Sequence, residues 1–323
     1  MAAATRLMAM AAAGMLAACA PPGAPPEAPP EPRADAAAPE PSAESRALAR
    51  YYARVERDLL ARGLLRTDGG GPDAPFDARL LARNFERIAL YDEYADEAGR
   101  IVARQTESRL RRWEEPVRLQ PVFGPSIDAG RRAEDRAALA AYARRLSRAS
   151  GHPVRVVGEG GNFFVYYLTE DERRGIGQDL RRRIPGISGS TVRTVTDMPR
   201  SFFCLAFAFS RGTDSAYVAA IAVIRDEHPD LLRQSCVHEE VAQGLGLAND
   251  SPEARPSIFN DDEEFALLTR HDELLLAMLY DDRLRPGLRP REARPIVERI
   301  AGELVPPAPR QQEDAALRRG GAL

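Results

Sequence analysis

Residues 236–250 read Cys-Val-His-Glu-Glu-Val-Ala-Gln-Gly-Leu-Gly-Leu-Ala-Asn-Asp. They close a helix expected over about 229–247. Glu239 and Gln243 are four residues apart, so they leave one helical face toward one point. Gly246 allows a sharp exit from the helix, after which Asn249-Asp250 can return to the same face. His238 lies one residue before Glu239, about 100° round the helix, and cannot take its place without a register shift. Adjacent glutamates near a helix start also have a plain role, a favourable interaction with the helix dipole.

The flanking sequence supplies a sheet. Residues 202–209 place Phe203, Leu205, Phe207 and Phe209 on one strand face and Cys204, Ala206 and Ala208 on the other. Residues 216–224 are apolar throughout, as expected of a central strand covered on both faces. Arg-Gly-Thr-Asp-Ser (211–215) joins the two as a hairpin. Upstream, 116–122, 154–157 and 163–168 read as strands, with an Ala/Arg/Leu helix over 131–149. Residues 169–200 read as an insertion of one short charged helix and a Gly/Ser/Thr loop, with Arg181-Arg182-Arg183 solvated. An amphipathic helix over 44–64 and a breaker cluster over 66–75 come first. One long helix from 77 to about 112 is then expected from the spacing of Leu81, Phe85, Ile88, Ala95, Ala98 and Val102. A loop with Pro252 and Pro256 leads to a last helix over 269–280. The expected class is α+β, a mixed sheet over the 239–247 helix, preceded by a helical region.

The chain has 323 residues, 44% hydrophobic and 29% charged, a globular composition. A net charge of −3 gives no basic field, so nucleic acid is not an expected partner. All basic residues are Arg; the absence of Lys excludes Schiff-base chemistry, a P-loop lysine and a Ser–Lys dyad. The four histidines (His152, His228, His238, His271) are too scattered for a His-rich zinc motif. The acidic group Asp250, Asp261, Asp262, Glu263 and Glu264 lacks calcium-loop spacing and reads first as a solvated rim.

Read from His238, the helix starts a zincin H-E-x-x-H and fails at Ala242. One residue on, Glu239-Glu240-x-x-Gln243-x-x-Gly246-x-x-Asn249-Asp250 resembles the metzincin pattern H-E-x-x-H-x-x-G-x-x-H/D. Together with Ser257-Ile258-Phe259, His271-Asp272-Glu273, Leu279-Tyr280 and Arg285-Pro286-Gly287, it resembles a group of bacterial lipoproteins, domain-of-unknown-function family 2927, over roughly 113–288. The resemblance implies a zincin-like domain, with Ser257-Ile258-Phe259 in place of the Met-turn and 272–280 as the closing helix. It puts Glu240 at the general-base position and Glu239, Gln243, Asn249 and Asp250 at metal-ligand positions. His238 is a further candidate, as an acid–base group, an outer-shell partner or a structural histidine. The departures are chemical, since zinc favours imidazole and thiolate. An oxygen set suits a harder divalent ion, the one cofactor candidate.

The termini suggest a location. Residues 1–18 carry Arg6 and then a short apolar run, too short to span a bilayer and fitting a cleaved signal. Leu16-Ala17-Ala18-Cys19 resembles the lipobox of bacterial lipoproteins, which implies lipidation of Cys19 and attachment to the membrane. Residues 20–43 are Pro/Ala/Glu-rich and read as a tether; the segment from about 305 reads as a disordered tail. In an oxidising compartment Cys204 and Cys236 invite a disulfide, the alternative being two buried thiols.

The expected organisation is a signal (1–18), a tether (19–43), a helical region (44–112), a zincin-like domain (113–290), and a C-terminal helix and tail (291–323). Three functions fit. The leading one is a cell-envelope lipoprotein whose peptidase-type site is degenerate and binds an envelope protein or peptide. The second is an atypical metal-dependent hydrolase with Glu240 as base; the third is a structural envelope protein.

Overall fold

Ser42, Asp77, Asp128, Thr169, Ser188 and Thr269 each cap a helix, their side-chain oxygens accepting from a first-turn N–H. The computed structural model describes residues 39–97, 100–260 and 262–306; the expected signal, Cys19, most of the expected tether, Asp261 and the expected distal tail lie outside them. In chain order come α1 (Ala43–Ala61), α2 (Ala78–Ala89), β1 (Tyr91–Glu97) and β2 (Arg100–Glu107). β3 (Arg112–Trp113), β4 (Val117–Phe123), α3 (Ala129–Ser150), β5 (Val154–Val156) and β6 (Phe163–Leu168) follow. Next are α4 (Glu170–Gly175), α5 (Gly177–Arg183), α6 (Gly189–Thr196), β7 (Cys204–Ser210) and β8 (Ala216–Arg225). α7 (Asp230–Gln243), α8 (Arg270–Leu279) and α9 (Pro290–Leu304) complete the described chain.

The main sheet runs β3-β8-β6-β4-β5, all parallel, and β7 pairs antiparallel with β8. The class is therefore α+β with a mixed sheet, and α7 packs against it. Strand alternation divides the core in two. Phe163, Val165 and Tyr167 of β6, with Ala220, Ala222 and Ile224 of β8, join the cluster that holds α2, α3, α7, α8 and α9. Phe164, Tyr166, Leu168, Ile221 and Val223 face the opposite cluster. The apolar run 216–224 is thus buried on both sides from Ala220 onward, as its composition implied, while Ala216, Val218 and Ala219 are half-buried.

Four expectations are corrected. The helix expected over about 229–247 ends at Gln243, and residues 244–246 form a turn. The single helix over 77–112 ends at Ala89, and the rest forms the β1–β2 antiparallel hairpin, in register Tyr91↔Glu107 through Glu97↔Arg100. The 169–200 insertion is three helices, not one helix and a loop. Leu180, Ile184, Val192 and Val195 cover the second face of the sheet, which would otherwise expose Tyr166, Ile221 and Val223. Its arginines are tied locally: Arg182 and Arg183 pair with Asp179, and Arg181 donates to the Gly177 carbonyl. Phe203 also departs from its assigned face. It precedes β7 and packs on the first cluster, whereas Leu205, Phe207 and Phe209 pack on the second.

Among the described residues no helix is long and apolar enough to cross a membrane.

Candidate functional site

α7 is preceded at its N-cap by Pro229, which offers no side-chain cap. Glu56 of α1 substitutes by accepting the Leu232 N–H at 2.9 Å. One turn further, Cys236 forms the expected disulfide with Cys204, Cα–Cα 5.8 Å, joining the helix to the first residue of β7. Glu239 and Glu240 follow Cys236 at i+3 and i+4 and so share its face. A Cys204 sulfur and one carboxylate oxygen each of Glu239 and Glu240 lie within 4.8 Å of one another. Among the described residues this is the one such group of three or more His, Cys, Asp or Glu, and it contains neither Asp250 nor a histidine. Glu240 is buried and Glu239 half-buried.

The C-terminal end of α7 is fixed by close packing. Gly244 accepts from Trp113 Nε1 at 2.8 Å, and a Cβ there would meet the Phe163 ring at 2.3 Å. Gly246 has φ +127° and a Cβ on it would meet the Arg111 carbonyl at 2.3 Å, so the sharp exit requires glycine. Beyond it, Asn249 is clasped by the end of α2. Its Nδ2 donates to the Arg87 carbonyl at 2.7 Å and its N–H to Ile88 at 3.1 Å. Gln243 and Asp250 are half-buried. The structure therefore groups Glu239 and Glu240 with the disulfide and anchors Asn249 to α2.

His238 stacks on Tyr142 at 3.9 Å, its Nδ1 accepts the Leu268 N–H at 2.9 Å, and Tyr142 donates to its carbonyl at 2.6 Å. Burial, helped by Arg145 and opposed by Asp272, pushes its pKa down to about 3. The unfolded chain, near 6.5, thus takes up a proton that the folded chain refuses between those values. The stability this contributes is complete above 6.5 and lost as the pH falls toward 3. His238→Gln keeps an acceptor for Leu268. We expect it to reduce the pH dependence of urea unfolding between pH 6 and 4 by about one proton; an unchanged slope would refute the assignment.

The other histidines are also engaged. His271 is fully buried, 3.1 Å from Asn84 Nδ2 and edge-on to Phe76. His152 stacks on Tyr280 and bonds the Glu115 carbonyl. His228 sits beside Tyr52 and Phe203 with Nδ1 3.7 Å from the Cys236 sulfur; burial, then Arg225 and Arg233, push its pKa well below the usual range. Neither the Tyr142 stack nor the carboxylates flanking the disulfide were read from sequence. The i, i+3, i+4 spacing of Cys236, Glu239 and Glu240 was the available signal for the second.

The Ser257-Ile258-Phe259 step is held by the buried Asp272, whose carboxylate accepts from Ser257 Oγ and the Ile258 N–H at 2.5 and 3.1 Å. A separate cavity of about 750 Å³ opens between α1 and the α4–α6 insertion, lined by Arg54, Arg173, Arg174, Arg200 and Arg225.

No curated protein and no solved structure matches the chain. Residues 78–299, from the start of α2 into α9 and including the whole sheet, α7 and the Asp272-held turn, match the family described as Protein of unknown function (DUF2927), and the chain belongs to that family.

Proposed function

We propose that the protein is a lipid-anchored bacterial cell-envelope protein whose metzincin-like domain binds an envelope protein or peptide and is not a zinc peptidase. Leu16-Ala17-Ala18-Cys19 supports the anchor, and the proline-rich segment after it suits a tether that holds a folded body off the membrane. A mixed sheet over α7, the glycine exit at Gly246 and the α8 helix support the metzincin likeness. β7 pairs with β8 alone among the described strands, so no strand among them occupies its other edge, where an added peptide strand would pair.

The position of the imidazoles carries the functional reading. No histidine belongs to the group of Cys204, Glu239 and Glu240: His152, His238 and His271 are engaged elsewhere, and His228 lies against the Cys236 sulfur. The motif positions supply a carboxylate at Glu239 and amides at Gln243 and Asn249, with Asp250 beside them. This set does not fit a catalytic zinc, which takes three His, Cys or carboxylate ligands and keeps one position open. No hydrolytic step is therefore assigned to Glu240.

The test is metal analysis of the purified, non-reduced protein together with cleavage of peptide libraries. We expect substoichiometric zinc and no chelator-sensitive cleavage. Glu239→His, Gln243→His and Asn249→His combined should raise zinc affinity, by placing three imidazoles at the motif positions. Stoichiometric zinc in the wild type, with proteolysis lost in Glu240→Gln, would overturn the reading in favour of a metal-dependent hydrolase. Cys19→Ser should release the protein from membranes; continued tight association would reject the anchor.

A further inference from the structure

The disulfide is placed among donors that a structural cross-link does not need. Cys236, Glu239 and Glu240 share one face of α7, and Cys204 reaches them from β7. The Cys204 sulfur and the two carboxylate oxygens lie within 4.8 Å of one another. In a tetrahedral zinc site, with Zn–S about 2.3 Å and Zn–O about 2.0 Å, neighbouring sulfur and oxygen ligands are about 3.5 Å apart. These three atoms would close by about 1 Å, within the reach of side-chain rotation; the Cys236 sulfur, bonded to Cys204 but outside that group, would turn toward them once released. Two thiolates on one zinc are about 3.8 Å apart, and the Cα–Cα separation of 5.8 Å allows that opening once the S–S bond is broken.

A second observation concerns Cys236 itself. His228 is buried, with Nδ1 3.7 Å from the Cys236 sulfur and no hydrogen-bond partner at Nε2 among the described residues. An Nδ1–H directed at that sulfur would hold a thiolate in place, as an outer-shell donor does for a metal ligand. The two sulfurs also differ in access: Cys204 is half-buried, whereas Cys236 is 2% exposed.

We propose that reduction of Cys204–Cys236 creates a zinc site of two thiolates and two carboxylates, Cys204, Cys236, Glu239 and Glu240, with His228 as a positioning residue. The reductant is a dithiol. One of its thiolates attacks the accessible Cys204 sulfur, the S–S bond breaks, and Cys236 leaves as a thiolate beside His228. The second thiol of the reductant then displaces Cys204 from the mixed disulfide. The dithiol becomes a disulfide, two electrons pass to the protein, and the protons of the resulting thiols go to water as Zn²⁺ binds. Two thiolates favour zinc over calcium or magnesium. The site differs from the motif positions and does not rest on the binding-module reading: zinc in the oxidised protein would oppose that reading, and a lack of zinc in the reduced protein would oppose this one.

The experiment uses the full chain, reduced with a phosphine, freed of reductant under anaerobic conditions, and titrated with Co²⁺ and then Zn²⁺. One equivalent of Co²⁺ should produce thiolate-to-metal charge-transfer absorption, displaced by Zn²⁺, in the reduced protein and not in the oxidised protein. Cys204→Ser and Cys236→Ser should abolish that signal, Glu239→Gln should weaken zinc binding by about 100-fold, and His228→Phe by about tenfold. Circular dichroism follows the fold throughout. The proposal is overturned if the reduced, folded protein shows no charge-transfer band, if the serine variants keep it, or if the reduced chain fails to hold its fold with zinc present.

Discussion

Glu170→Ala should lower the stability of the folded chain by about 3–5 kcal/mol in urea unfolding. The Glu170 carboxylate is buried and takes Arg173 at 2.6 Å and Arg225 at 2.5 Å, both guanidiniums being 1% exposed. Arg174 adds a third donor at 3.0 Å. Without the carboxylate two cations stay inside with no carboxylate bonded to them, because their other hydrogen-bond partners are carbonyls: Val195 and Met198 for Arg173, and Met198, Pro199 and Phe202 for Arg225. Burial pushes the Glu170 pKa up, but Arg173 and Arg225 outweigh it and hold it below the ordinary 4.5. The contribution is thus present above 4.5 and lost as the pH falls through the lower folded-state value, so the penalty of the variant should shrink in strong acid. A loss under about 1 kcal/mol at pH 7 would show that these arginines are solvated.

Asp272→Ala should cost a similar amount by a different route, about 3–5 kcal/mol. Asp272 is fully buried and accepts from Ser257 Oγ, the Ile258 N–H and the Thr269 N–H at 2.5, 3.1 and 2.8 Å. Removing the carboxylate orphans two backbone donors and a hydroxyl in one place, and also undoes the capping box of α8. Urea unfolding measures the total, and amide exchange locates it: the Ile258 and Thr269 amides should lose protection first. Equal protection in both proteins would reject this role.

What could be read from the sequence follows the strength of the periodic signal. β6 and β8 carry apolar residues in both registers and Thr269 marks a helix start, so these elements stand where they were expected; Gly246 makes the expected sharp turn, three residues past the end of α7. The β1–β2 hairpin was hidden because Tyr91-Asp-Glu-Tyr-Ala-Asp-Glu and the strand after it mix charges with Ala, which suits a helix locally. Pairing across the two strands decides the outcome instead. The three-helix insertion was hidden for a related reason: its apolar residues, Leu180, Ile184, Val192 and Val195, are sparse and spread over helices of seven and eight residues. The candidate site was legible as a helix carrying glutamates and a cysteine. The bridge from Cys236 to Cys204 was legible too; the approach of Glu239 and Glu240 to it was not, nor were the aromatic partners of His228 and His238, which come from α1 and α3.

The N-terminal helix has a mechanical consequence. α1 is fastened at Ser42 and Glu44 to Asp171 and Arg174 of α4, and at Ser45 to Glu227 just past β8. Further along, Tyr52 binds the Arg200 carbonyl and Glu56 the first turn of α7. A pull entering the chain ahead of Ser42 is therefore shared among the insertion, the end of the central strand and the start of α7. Several attachments must shear together before α1 peels away, so α1 spreads tension on the leading segment over many points, the first of them on α4 and at Glu227, ahead of the face carrying Cys204, Glu239 and Glu240.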